Sequence, residues 1–329
     1  MIRFALLFSQ SDRMQRNIYL VYILTLLAVS FWGISYVWMK KVFEYYQPVT
    51  TMFLRLTLSS VFLYSLLWLM GKREKIDRKD YWAFVWLSFF SPFCYFIGES
   101  FGLQLVSPTI AAVIIATIPV FTPFLGYIAF GEKLTKINIV GFFISFTGVM
   151  IMVLDFEFRF SASPRGVLLL FFAVISALIN ILFLKKLAMK YSSATIIKTQ
   201  NLLGALFFLP LFLILDFQDF KSIRPSADVV WALIKLAVFA STLAFMFYTI
   251  AVRNIGVART SIFANLIPVF TAVFSFMILG EKIDLSKILG IIIVISGLML
   301  TQTARLRNKN QSLSKKPTFK NTCKNRTSD

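Results

Sequence analysis

Histidine is absent from this 329-residue chain, and cysteine occurs twice, at Cys94 and Cys323. The first absence removes the commonest proton shuttle and metal ligand, and with it any Ser-His-Asp triad or histidine-bound zinc. Two cysteines, one inside an apolar run and one near the C-terminus, make no disulfide framework. Charge is scarce as well: 15% of residues are charged, where soluble domains carry about 25%. No GxxxxGK[ST] loop occurs, which argues against ATP as a direct energy source. The residues before Ile18 hold too short an apolar stretch for a secretory signal, and Met14 is a second candidate start.

What fills the space is hydrocarbon. Hydrophobic residues make up 58% of the chain, including 37 phenylalanines. A membrane helix needs ~20 predominantly apolar residues, and ten runs qualify. They are Ile18–Met39, Pro48–Met70, Tyr81–Leu105, Thr109–Phe130, Ile137–Leu154, Gly166–Leu184, Thr195–Leu215, Val229–Val252, Thr260–Leu279 and Leu285–Thr303. The runs lack the alternation of barrel strands, and a helix satisfies its own backbone in hydrocarbon. The expected fold is therefore an all-α integral membrane protein.

The net charge of +19 follows the membrane rather than a nucleic-acid surface. With the N-terminus inside, 23 Lys and Arg residues fall on the cytoplasmic side and 8 on the other. That bias predicts a cell membrane protein with both termini cytoplasmic. Residues 1–17 read as a cytoplasmic segment. Residues 304–329 read as a basic disordered tail facing the lipid headgroups.

Sliding the chain by 149 positions lays Ile118-Pro119-Val120-Phe121-Thr122 on Ile267-Pro268-Val269-Phe270-Thr271 and Gly131-Glu132-Lys133 on Gly280-Glu281-Lys282. Gly141 then meets Gly290, and Gly148 meets Gly297. Two copies of five helices, residues 18–154 and 166–303, are the expected domains. The odd number threads the second copy upside down, the architecture of many secondary transporters. Gly102–Leu154 and Arg253–Leu300 each resemble the second part of an EamA-type repeat, and Trp32-Gly33-Ile34-Ser35 with Arg55 resemble its opening. The likeness, to the EamA family of the drug/metabolite transporter superfamily, covers Ile18 to Leu300. In the second copy Ala177, Asn180 and Gln200 replace Trp32, Ser35 and Arg55. The resemblance implies a ten-helix permease or exporter of metabolites.

Four charges fall inside the runs: Arg55, Glu99, Lys198 and Lys235. The two lysines lie near span ends and can snorkel to the headgroups. Arg55 and Glu99 sit at matching depth on neighbouring helices, roughly 10 Å from one end. They read either as an ion pair fixing helix register or as a solute-contacting site with a proton-linked carboxylate. Pro119 and Pro268, with Thr122 and Thr271 on the same face, read as packing kinks or as a cavity wall. Trp32, Ser35, Asn180 and Asn265 complete the candidate path, though amides and hydroxyls also join membrane helices to one another. Glu132 and Glu281, at span ends beside lysine, read as structural. The expected function is secondary transport of a small solute by alternating access, with proton coupling an open option and a monomer or homodimer as the unit. No cofactor, metal or nucleic acid is expected. An embedded enzyme, a channel or a scaffold are the alternatives.

Overall fold

A computed structural model describes residues 18–314 apart from 70, 72–73, 132–133 and 155–161. Among the described residues, ten helices are long and apolar enough to cross a membrane. They are α1 (Ile18–Phe43), α2 (Pro48–Leu69), α3 (Arg78–Leu105), α4 (Pro108–Ala116 and Ile118–Phe130), α5 (Lys136–Val153), α6 (Pro164–Ala188), α7 (Ser193–Ser222), α8 (Ala227–Ile255), α9 (Val257–Ala264 and Ile267–Leu279) and α10 (Leu285–Ser314). The chain is a multi-pass integral membrane protein. The apolar runs locate all ten helices, most bounds agreeing within a few residues, with extensions where polar flanks carry on the turn. The longest extension is α10, which continues to Ser314 through the first part of the segment read as tail.

Local signals set the ends. Ser107, Thr135, Ser163 and Ser192 cap α4, α5, α6 and α7, each hydroxyl accepting from a backbone N–H three residues on. Proline stands in the first turn of α4 and α6, where no donor is needed. At the other end of α4 and α9, Gly131 and Gly280 adopt φ of 64° and 66°. The glycine of each Gly-Glu-Lys motif is thus the left-handed stop of a helix.

Packing between the halves is reciprocal. α5 crosses α10, α2 lies against α7 and α4 against α9. Contact of α1 with α8 and α9 is matched by contact of α6 with α3 and α4. Exchanging the two halves leaves this set unchanged. The α5–α10 crossing shows it at the atomic level. A Cβ on Gly148 would stand 2.9 Å from the Gly290 carbonyl, and one on Gly290 2.9 Å from that of Gly148. For Gly141 and Gly297 the corresponding distances are 2.8 and 2.6 Å. These pairings run antiparallel, and the offset of 149 turns each into the other. A self-complementary contact of this kind is what a two-fold relation requires.

Candidate functional site

Among the described residues, α3, α8 and α9 are interrupted at membrane depth beside polar side chains that bond there, α4 is reset at Thr117, and α7 carries a π-helical stretch at Phe212–Asp216. In α3 the ladder breaks at Ser91, whose backbone is extended (φ −147°, ψ 121°), just before Pro92. The freed carbonyls accept from amides: Asn180 donates to Leu87 at 2.7 Å, and Gln200 donates to Ser91 at 2.8 Å. In α8 a π-helical stretch spans Leu236–Leu243. There Trp32 Nε1 donates to the Ala240 carbonyl at 3.2 Å and Thr242 Oγ1 to that of Ala237 at 3.1 Å. In α9 the break falls at Asn265 and Leu266, and Asn265 exchanges two hydrogen bonds with Gln302 of α10, at 3.2 and 3.1 Å. Backbone irregularity inside a membrane is tolerated where such partners exist.

The expected site residues therefore divide into two groups. Trp32, Asn180 and Asn265 hold helix breaks. Ser35 donates to its own helix at Trp32, and Thr122 does the same at Ile118. Thr271 donates to the Gly33 carbonyl at 3.0 Å, where α1 and α9 meet so closely that a Cβ on Gly33 would stand 2.7 Å from Phe270. Pro119 and Pro268 occupy the first turn of the second segment of α4 and α9, after a helix reset. Their missing donor is thus placed where a helix has no partner for one. Lys198 and Lys235 lie over the rings of Tyr64 and Trp38, at 4.6 and 6.0 Å.

Arg55 and Glu99 form the second group. Both are 4% exposed. Among the described residues no ion pair joins them; each charge has its own neutral partners. Tyr36 and Tyr95 donate to the same oxygen of Glu99, Oε1, at 3.1 and 2.7 Å. Arg55 Nε donates to Ser241 Oγ at 2.7 Å, Nη1 lies 3.4 Å from the Met39 sulfur, and the guanidinium stacks 4.7 Å over Phe96. Behind Ser241, Asn201 donates to Ser59 at 2.8 Å, and Ser59 meets Thr242 at 2.9 Å. The centre thus draws α1, α2 and α3 from one half and α7 and α8 from the other. Tyr95, four residues before Glu99 on one helix face, was within reach of sequence reasoning. Ser241 and Asn201 come from the other half and carried no signal.

Comparison with known proteins places this arrangement. The model of the EamA-like transporter family matches residues 19–154 and again 164–303. The chain belongs to the EamA-like transporter family. Among its relatives is an uncharacterized transporter of Archaeoglobus fulgidus, 24% identical over 86% of this chain and 99% of that one. Another is the uncharacterized transporter YetK of Bacillus subtilis, 28% identical over 75% and 76%. A solved crystal structure 13% identical superposes with a TM-score of 0.64 over 86% of this chain and 98% of its own, and shares the fold. The two family matches coincide with the two five-helix copies, so the buried centre of this transporter lies between them.

Proposed function

We propose that the chain is a secondary transporter that moves a small metabolite or drug-like solute by alternating access of two inverted halves. The solute meets the protein at the Arg55–Glu99 centre. One observation carries this reading: two buried opposite charges at membrane depth do not neutralise each other by contact. A charge in hydrocarbon needs a compelling partner, and a pair serving register alone would close on itself. Here the carboxylate takes two phenols on one oxygen, and the guanidinium takes one hydroxyl and a ring face. Polar capacity is left for a third party. The reciprocal crossing of α5 and α10 supports the two-fold relation on which alternating access depends.

Proton coupling through Glu99 is the second reading, favoured by its depth six residues inside α3. The test starts with a metabolite survey of cells with and without the protein, followed by flux in proteoliposomes. Saturating flux with counterflow is expected; non-saturating flux without counterflow would indicate a channel. Glu99→Gln is expected to insert normally, keep exchange and lose flux driven by a pH gradient. Wild-type flux and pH response in both Glu99→Gln and Arg55→Ala would remove the centre from the mechanism.

A further inference from the structure

The distal face, opposite the two termini, carries an acid that the centre does not use. Glu281 follows the left-handed Gly280 at the end of α9 and is held from three helices. Ser275 of α9 donates to Oε2 at 2.5 Å, Thr109 of α4 donates to Oε2 at 2.9 Å, and Lys287 of α10 donates to Oε1 at 2.9 Å. Burial raises the pKa of this carboxyl, but the hydroxyls beside it and the Lys287 ammonium outweigh burial and hold the group below its ordinary range. Ser107 and Thr109 begin α4, and Glu281 ends α9, so the carboxylate ties two of the helices that pair across the halves.

The offset of 149 identifies the equivalents of these residues on the opposite face. Glu281 corresponds to Glu132, but Ser107, Thr109, Ser275 and Lys287 correspond to Gly256, Ala258, Gly126 and Asn138. Helix bounds support this register: Ile118–Phe130 maps onto Ile267–Leu279 and Gly131 onto Gly280. Three of the four equivalents have no side-chain donor, and the fourth replaces an ammonium by an amide. Asn138 is buried, and its Oδ1 has no hydrogen-bond partner among the described residues.

We infer that Glu281 clamps the distal ends of α4 and α9 together through donors that the equivalent sequence positions on the opposite face lack. The resting protein is then closed on the distal face. This bias rests on the alternating-access reading; the clamp itself does not.

Spin-label distances test it without solute or flux. With Cys94 and Cys323 changed to serine, one label pair at Leu105→Cys and Ile278→Cys reports the distal face. A second pair at Tyr127→Cys and Arg259→Cys reports the other face. Glu281→Gln and Lys287→Met are expected to populate a longer distal distance, changing the ratio of the two populations roughly tenfold, the scale of one charge-assisted hydrogen bond. Installing donors by Gly126→Ser, Ala258→Thr and Asn138→Lys is expected to shorten the second pair and lengthen the first. If Glu281→Gln does not accumulate, Thr109→Val and Ser275→Ala give the same readout one bond at a time. Unchanged distal distances in the variants that fold would overturn the clamp. Absent flux with shifted distances would instead sink the transport reading alone.

Discussion

At the scale of single residues, burial turns ordinary hydrogen bonds into decisive ones. Tyr36 and Tyr95 are the partners given to Glu99 by two different helices, and both act on one oxygen. Removing either phenol leaves a carboxylate that cannot recover its solvation, a loss of about 1.5–3 kcal/mol for a bond to a charged group. Tyr36→Phe and Tyr95→Phe are each expected to lower the thermal midpoint of the detergent-purified protein. The double variant Tyr36→Phe/Glu99→Gln should lose less than the two single changes summed, because the phenol then lacks its charged acceptor. Strict additivity in that cycle would count against the contact. Much of this centre was legible from sequence. Arg55 and Glu99 stand out because charge is so scarce in the spans, and their matched depth follows from helix rise. Their separation was not legible, since it depends on Ser241, Met39 and Phe96 supplying alternative partners for the guanidinium. Asn180, Asn265 and Trp32 are polar side chains at membrane depth, which sequence alone assigns to a solute path or to joining neighbouring helices. The structure gives each a carbonyl or amide partner at a helix break.

At the scale of helices, glycine decides how closely elements approach. The α5–α10 crossing brings backbone against backbone at Gly148 with Gly290 and at Gly141 with Gly297. A methyl group on Gly297 would meet Ser145 Oγ at 2.3 Å and the Gly141 carbonyl at 2.6 Å. The hydroxyl can turn away, but the Gly141 carbonyl and the Ser145 amide nitrogen at 2.7 Å are backbone and cannot. Overpacking of this kind costs about 1–3 kcal/mol, so Gly297→Ala and Gly148→Ala should each reduce folded yield and midpoint. By contrast Gly71→Ala has open space around its Cβ, and its left-handed φ of 62° limits the cost to backbone strain. Equal losses at all three positions would show that contact distance is not what governs the crossing. The repeat offset predicted which glycines are equivalent, but not that the equivalent helices face one another. Helix bounds were readable to a few residues because caps and left-handed glycines stand in the sequence. The break at Ser91 was not: α3 reads as one apolar run, and its interruption is stabilised by Asn180 and Gln200 from the other half. A second reciprocal feature follows the same logic at helix ends. Asp216, late in α7, accepts from the backbone and hydroxyl of Thr50 at the start of α2, at 3.0 and 2.7 Å. Glu74, just after α2, accepts from the backbone and hydroxyl of Ser192, the cap of α7, at 3.0 and 2.7 Å. Each half supplies the acid that caps a helix of the other, where the positive end of the helix dipole favours it.

At the scale of the whole molecule, an even number of spans places the start of α1 and the end of α10 on one face, and the distribution of Lys and Arg predicts that this face is cytoplasmic. Cytoplasmic excess of positive charge arises because these side chains resist translocation during insertion. The bias of 23 to 8 survives removal of the basic C-terminal stretch, falling to 15 to 8, so orientation is expected to be set by the short connections rather than by the tail. Native Cys323 offers a direct reading. In a Cys94→Ser background, a membrane-impermeant maleimide is expected to label Cys323 in inverted vesicles and to leave it untouched in intact cells. A second chain with both native cysteines changed to serine and Glu44→Cys, at the exposed connection between α1 and α2, should show the reverse. The sequons at Asn310 and Asn325 should stay unmodified in a eukaryotic host for the same reason. Truncation after Gln302 should preserve this labelling pattern for Glu44→Cys, because the remaining excess still points inward. If the truncated chain instead inserted in both orientations, the eight tail charges would be the topological determinant, and the short connections would not.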